Sequence, residues 1–86
     1  MPIVSRFFGI TIRMYYDEHN PPHFHASYGG QEAELGIGPI AVLAGKLPSR
    51  ATSLVIEWAA RHQQELMLNW DRARSDQPIE RIPPLD

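Results

Sequence analysis

The chain has 86 residues, of which 43% are hydrophobic and 21% charged, and its formal net charge is −2. This length predicts a single domain over residues 1–86 with one modest core, and the composition excludes an intrinsically disordered chain. The negative charge argues against bulk electrostatic attraction to nucleic acid, and the absence of cysteine excludes disulfides and thiolate metal sites. Because no apolar segment is long enough for a signal peptide or a membrane span, a cytoplasmic location is expected.

Two strands are predicted at the start of the chain. Residues 2–8 are mostly apolar, β-branched or aromatic and end at a glycine, and residues 10–16 alternate between apolar and polar side chains. Because successive residues of a strand point to opposite faces, Arg13 and Tyr15 fall on the polar face of the second strand. Residues 17–22 are predicted to form the loop that follows.

A β-hairpin is predicted in the middle of the chain, where residues 23–28 and 31–37 flank a Gly-Gly pair. Two glycines between alternating segments favour a type I′ turn, which requires positive φ at both central residues. A two-residue turn fixes the pairing of the strands, so we expect His25 to lie opposite Glu34. The polar face of the hairpin then carries both His23 and His25. We expect this face to be free for a ligand or a partner.

The second half of the chain is predicted to be mainly helical. Residues 40–44 fit a fifth strand at the sheet edge, an amphipathic helical pattern covers residues 49–75, and the proline-rich tail 76–86 is extended. A straight helix of this length would be about 39 Å long, so it is expected to bend or break in the polar segment 61–64, or else to extend beyond the domain and be covered by a second subunit. The predicted fold is α+β, an antiparallel meander of four or five strands with one long, bent or broken helix on one face.

Several segments of the chain together resemble a known family. They are the opening Met-Pro-Ile-Val-Ser-Arg-Phe-Phe-Gly-Ile, the central His-Asn-Pro-Pro-His-Phe-His-Ala, the Gly-Lys-Leu-Pro before the helix, the Glu-Trp-Ala and Asn-Trp segments within it, and the closing Ile-Pro-Pro-Leu. With them the chain resembles domain-of-unknown-function family 4160 over nearly its whole length.

The family resemblance implies a partner rather than a reaction. Members are small bacterial proteins without an established activity, often encoded beside a second small protein, frequently of domain-of-unknown-function family 2442. This arrangement resembles a toxin–antitoxin pair. It implies a protein-binding component of a two-gene module, and no catalytic residue can be transferred from the family.

The histidines independently suggest a metal site. His23 and His25 are two residues apart in a predicted strand, so both imidazoles project from the same face, as is common for nitrogen ligands of zinc or another divalent transition metal. His19 from the preceding loop is the candidate third ligand, and Glu34 from the neighbouring strand is an alternative.

The same face also suggests acid–base catalysis without a metal. Two imidazoles and a carboxylate can share the roles of base and acid, which makes His23, His25 and Glu34 candidate catalytic residues. Arg13 and Tyr15 would add a cation and a hydroxyl beside them. This set suits cleavage of RNA, where the 2′-hydroxyl needs a base and the phosphorane needs a cation.

The sequence therefore leaves two classes of function open. One is a protein-binding component of a toxin–antitoxin-like module, and the other is a small nuclease or metal-binding hydrolase, so whether the protein is an enzyme stays open. A third interpretation is that the polar face simply contacts water. A secondary apolar line on the helix, Ile56, Ala60 and Met67, suits a partner or a second copy of the chain.

Overall fold

The fold is a five-stranded antiparallel sheet followed by two helices and an extended tail. The computed structural model describes residues 2–86, and residue 1 of the predicted domain lies outside the described residues. The strands follow one another across the sheet in chain order, so the predicted α+β meander is confirmed. The elements are β1 (Ile3–Phe7), β2 (Ile10–Arg13), β3 (His23–Tyr28), β4 (Gln31–Gly36), β5 (Val42–Gly45), α1 (Ser49–Arg61) and α2 (Gln63–Arg74).

The second strand is shorter than its alternating pattern predicted. β2 ends at Arg13, although Met14 is still buried and its backbone N–H still donates to the carbonyl of Pro2. Asp17 then adopts a left-handed φ of +63°, which turns the chain out of the extended conformation. Tyr16, which was predicted to continue the apolar face, is 39% exposed.

The β3–β4 hairpin has the predicted register. Gly29 and Gly30 have φ values of +56° and +83°, as a type I′ turn requires. The paired residues include His25 with Glu34 and Phe24 with Leu35. As a result the histidines lie on one face of β3, whereas Phe24 and Leu35 are fully buried in the core on the other.

The core lies between the sheet and α1. Trp58 and Val55 of α1 are fully buried, and the Trp58 ring lies 5.3 Å from the ring of Phe7 and 5.9 Å from that of Phe24. The indole N–H of Trp58 donates to the carbonyl of Pro83 in the tail at 2.9 Å. One tryptophan therefore joins the sheet, the first helix and the tail, and its only polar group is satisfied within the core.

The prediction of one long C-terminal helix is wrong, because the segment forms two helices that meet at His62. The break lies within residues 61–64, where a bend or a break was predicted. A straight helix of about 39 Å would exceed the longest dimension of the chain, 33 Å. At the break, the His62 N–H lies close to the carbonyls of both Trp58 and Ala59, and His62 φ is −120°. Each helix can then bury its own apolar side.

The proline-rich tail is extended, as predicted, and is fixed at two places besides its contact with Trp58. The Ile82 N–H donates to the carbonyl of Val4 at 2.9 Å, which pins the tail to β1. The buried Asn69 side chain donates to the carbonyl of Glu80 and accepts from its N–H. Among residues 2–86, no helix combines the length and apolar character needed to cross a membrane.

Candidate functional site

Four side chains converge on the polar face of the sheet, and we call them the His–Glu cluster: Glu18, His23, His25 and Glu34. One ligand atom from each lies within 4.8 Å of the others. β3 contributes both histidines, which are two residues apart on one face, and β4 contributes Glu34 directly opposite His25. Glu18 comes from the loop between β2 and β3.

The loop reaches the cluster because of its local conformation and its anchoring. The left-handed turn at Asp17 directs the next residue, Glu18, back over the sheet. The far end of the loop is held where the carbonyl of Pro22 accepts a hydrogen bond from the N–H of Ile37 at 3.0 Å. The Glu18 carboxylate is consequently only 27% exposed and lies between the two imidazoles.

His23 is oriented by the backbone and presents its other nitrogen to the cluster. Its Nδ1 lies 2.8 Å from the carbonyl oxygen of Pro21, and since a carbonyl only accepts, Nδ1 carries a proton. Its Nε2 is buried and has no hydrogen-bond partner among residues 2–86. That atom lies 3.4 Å from an oxygen of Glu18 and 3.7 Å from an oxygen of Glu34.

The burial of His23 results from contact with α2. The Trp70 ring lies 5.2 Å from the His23 ring, and the residue exposes only 8% of its surface. Trp70 is itself only 4% exposed, and no periodic pattern in the sequence indicates its contact with His23. The contact with Trp70 shields the His23 imidazole from water.

His25 is held between carboxylates on both of its nitrogens. Its Nδ1 lies 3.1 Å from Glu32 and its Nε2 lies 2.7 Å from Glu18. Glu34, although directly opposite in the register, is 3.8 Å from His25 Nε2, which is beyond hydrogen-bond distance. The predicted pairing of His25 with Glu34 across the hairpin is therefore present, but Glu18 and Glu32, rather than Glu34, contact the imidazole.

Arg13 and Tyr15 lie beside His25, on the face predicted for them. Arg13 is paired with His25 in the register of β2 and β3, and its guanidinium donates to the Ser27 hydroxyl at 3.2 Å. The Tyr15 ring meets the imidazole of His25 edge-on, with centroids 4.6 Å apart. Both residues border the cluster without belonging to it.

The structure brings most of the sequence-predicted site residues together and leaves one apart. His19 is exposed and is not part of the cluster, whereas its neighbour Glu18 is. Sequence reasoning missed Glu18 because no periodic pattern indicates where a loop side chain points. Glu32 could have been found, since it is two residues before Glu34 and therefore shares its face.

The match to a known family covers most of this architecture. The sequence profile of the family described as Domain of unknown function (DUF4160) matches residues 9–71 of the 86-residue chain. The chain belongs to this DUF4160 family. The matched range contains all four residues of the His–Glu cluster and ends within α2. Comparison with curated proteins and with solved structures gave no match.

The electrostatics of the DUF4160 cluster depend on Glu18. Burial alone would raise the pKa of this carboxyl group. The hydrogen bond with His25 and the charges of His23 and His25 outweigh burial, so the pKa of Glu18 lies below its ordinary value. The folded protein therefore favours the carboxylate form, which is the form that binds cations.

The lowered pKa of Glu18 predicts how its contribution to stability changes with pH. A group whose folded-state pKa is depressed stabilises the fold above its unfolded-state pKa, and this contribution is lost as the pH falls through the folded-state value. We expect Glu18→Gln to reduce the free energy of unfolding near neutral pH, with a difference from the wild type that shrinks below the ordinary value of 4.5. Urea unfolding in a chelating buffer at about pH 7 and about pH 3.5 measures this difference.

A matched control for that measurement is Glu80→Gln, because the Glu80 side chain is 72% exposed in the tail. This variant should differ little from the wild type at either pH. A Glu18→Gln difference that stays constant or grows on acidification would contradict the electrostatic account.

Proposed function

We propose that the protein binds a divalent transition metal ion through the His–Glu cluster and uses it for hydrolysis. The observation that carries this proposal is the buried Nε2 of His23, which has no hydrogen-bond partner within the described part of the chain and faces two carboxylates. A buried polar atom without a partner costs about 1–3 kcal/mol. A metal ion removes that cost, because the lone pair of Nε2 becomes a ligand.

The groups behind the two histidines support metal ligation. In metal sites a ligating imidazole usually donates its other N–H to a backbone carbonyl or a carboxylate, which fixes the tautomer and the ring orientation. His23 has the carbonyl of Pro21 in this role, and His25 has the carboxylate of Glu32. Both rings can then present Nε2 to the same point.

The spacing of the ligand atoms also supports a shared ion. Nitrogen and oxygen ligands about 2.0–2.2 Å from a tetrahedral zinc ion are roughly 3.3–3.5 Å apart. The His23 Nε2 lies 3.4 Å from the Glu18 carboxylate, which matches that spacing. The contact between His25 and Glu18 is shorter, 2.7 Å, so these two groups must move apart slightly when they bind one ion.

The two carboxylates of the cluster suit different roles. Catalytic zinc sites commonly have three protein ligands, such as two histidines and one glutamate, with water in the fourth position. Glu18 is closer to both imidazoles and 27% exposed, which suits the third ligand. Glu34 is farther from them and 39% exposed, which suits a general base for the bound water.

The ligand atoms of the His–Glu cluster support binding of certain divalent metals, and the residues beside the cluster support a class of substrate. Imidazole nitrogen together with carboxylate oxygen suits zinc, and also iron, manganese, cobalt or nickel in the divalent state. Arg13 lies beside His25, and a guanidinium suits the oxygens of a phosphate ester. We therefore propose phosphodiester hydrolysis, with RNA as one candidate substrate, at a site flanked by Tyr15.

We propose as a second candidate that the protein is the protein-binding component of a two-gene, toxin–antitoxin-like module. β5 supports this proposal because it lies at the edge of the sheet, carries no charged residue and is exposed at every position. Val42 and Leu43 are 43% and 49% exposed. An unprotected apolar edge strand is a template for pairing with another chain. This proposal includes a small partner of domain-of-unknown-function family 2442. It also includes a second copy of the chain bound through the helices, and a cytoplasmic setting.

Metal binding is tested with histidine variants. We expect purified protein to take up about one equivalent of Zn²⁺ or Mn²⁺ in calorimetric titration, and we expect His23→Ala and His25→Ala to abolish binding, because each removes a ligand. His19→Ala is the matched control, since His19 is exposed and lies outside the cluster. Metal binding that survives in both ligand variants, or that is lost in His19→Ala, would overturn the assignment.

Hydrolysis is tested separately with Glu34→Gln. We expect this variant to retain the metal and to lose about 10²–10⁴-fold of the rate on a phosphodiester such as bis(p-nitrophenyl) phosphate, because the general base is removed. Loss of the metal in Glu34→Gln would instead make Glu34 a fourth ligand and the ion structural. RNA cleavage that persists in excess chelator would favour the metal-independent nuclease.

The protein-binding candidate is tested by co-expression with the product of the neighbouring gene. We expect a stable complex in sedimentation velocity and a weaker complex for Leu43→Lys, because a charge on the edge strand opposes strand pairing. The control is Tyr16→Lys, which places the same charge in the loop after β2, away from β5 and the helices, at a side chain that is 39% exposed. An equal loss in both variants, or a complex that contains only copies of this chain, would contradict pairing of a partner strand with β5.

A further inference from the structure

The turn between β1 and β2 contains an unfavourable aromatic residue. Phe8 and Gly9 are its central residues, with φ values of +50° and +80°. Such a turn favours asparagine or glycine at its first central position, and a bulky side chain with positive φ is an outlier. The Phe8 side chain is also 60% exposed. Neither the backbone conformation nor the exposure of this residue stabilises the fold, and retained strain of this kind points to a role in binding.

Phe8 forms a wall of a groove at the end of the sheet, which we call the Phe8 groove. Its volume is about 170 Å³. A dry apolar cavity of about 150 Å³ accommodates benzene, so the groove has room for one aromatic or branched aliphatic side chain. The lining residues are Phe8, Ile10, Tyr28, Pro48, Arg50, Ala51 and Leu54.

The walls of the groove are held in place by contacts between turns. A Cβ atom at Gly9 would lie only 3.2 Å from the Tyr28 ring, so that ring is packed on the backbone of the β1–β2 turn. Tyr28 itself precedes the β3–β4 turn and is 39% exposed. The third side is formed by the start of α1. Because three elements hold the groove in shape, ordering its side chains on binding a ligand costs little free energy.

The charge around the groove is positive, although the chain has a net charge of −2. Arg50 lines the groove, and Arg6 lines the adjoining surface on the other side of Phe8. Within the part of the chain that the structure describes, no acidic residue lines either surface. The first turn of α1 also lacks an acidic residue, and the positive end of the helix dipole therefore adds to the field.

We propose that the Phe8 groove binds an acidic segment of a partner protein that inserts one aromatic or branched aliphatic side chain. A second copy of this chain fits poorly, because its own groove would bring Arg6 and Arg50 against identical arginines. RNA fits less well because binding of single strands needs a positively charged groove that follows several phosphates. This groove is lined by one arginine, and four of its lining residues are aliphatic: Ile10, Pro48, Ala51 and Leu54. The groove shares no residue with the His–Glu cluster or with β5, so the inference is independent of both proposed functions.

Selection from a library of random peptides tests the groove directly. We expect the immobilised full chain to enrich peptides that carry one large apolar residue flanked by aspartate or glutamate. An enriched peptide should bind Phe8→Asn about 30-fold more weakly in fluorescence anisotropy, as on removal of a binding hot spot. Arg50→Glu should weaken binding of the same peptide, and more so at low salt.

Two further measurements separate a binding role from a structural one. Phe8→Asn should raise the midpoint of urea unfolding, because asparagine tolerates the left-handed conformation better than phenylalanine. Leu68→Asn removes another exposed apolar side chain, 53% exposed on α2, and should leave peptide binding unchanged.

Several results would overturn the proposal. One is a selection that enriches no peptides, or that enriches basic ones. Another is loss of peptide binding in Leu68→Asn but not in Phe8→Asn, and a third is a lower midpoint of urea unfolding for Phe8→Asn. Concentration-dependent dimerisation that Phe8→Asn abolishes would assign the groove to a second copy. Binding of single-stranded oligouridylate that Phe8→Asn abolishes would assign it to RNA.

Discussion

The register of the β3–β4 hairpin is the constraint on which both the core and the His–Glu cluster depend. It is fixed by two glycines in the left-handed conformation, which allow the strands to reverse within two residues. A slip by one residue would exchange the faces of β3, exposing Phe24 and driving His23 and His25 into an apolar core. Burial of Phe24 and Leu35 under α1 thus secures the same register that aligns the histidines with the carboxylates of β4.

The cluster is completed by parts of the chain that lie outside the hairpin. The loop before β3 supplies Glu18 and, through the carbonyl of Pro21, the hydrogen bond that orients His23. α2 supplies Trp70, which covers the same imidazole. Removing that ring from water makes the unpartnered Nε2 of His23 costly in free energy. The chemical character of the cluster is therefore set by burial as much as by the choice of residues.

The helices and the tail explain how so short a chain buries this much of its surface. The break at His62 lets α1 and α2 present separate apolar sides within a molecule 33 Å long. The tail then closes the core through Trp58 and Asn69, whose polar groups bond to its backbone. What is left exposed is consequently informative: a strained aromatic residue, Phe8, at one end of the sheet and an apolar edge strand at its side.

The sequence by itself determined the features that depend on local periodicity. Alternation and the two-glycine turn predicted the meander, the face of the histidines and the pairing of His25 with Glu34, because strand geometry has a period of two and the turn fixes the register. Only the tertiary structure decided that Glu18 rather than His19 enters the cluster, since that choice depends on the conformation of a loop. It also decided that Trp70 covers an imidazole, because this contact results from packing between elements distant in sequence, which no local pattern encodes. The length of the helical pattern already predicted a bend or a break within residues 61–64, and packing decided that the segment forms two helices.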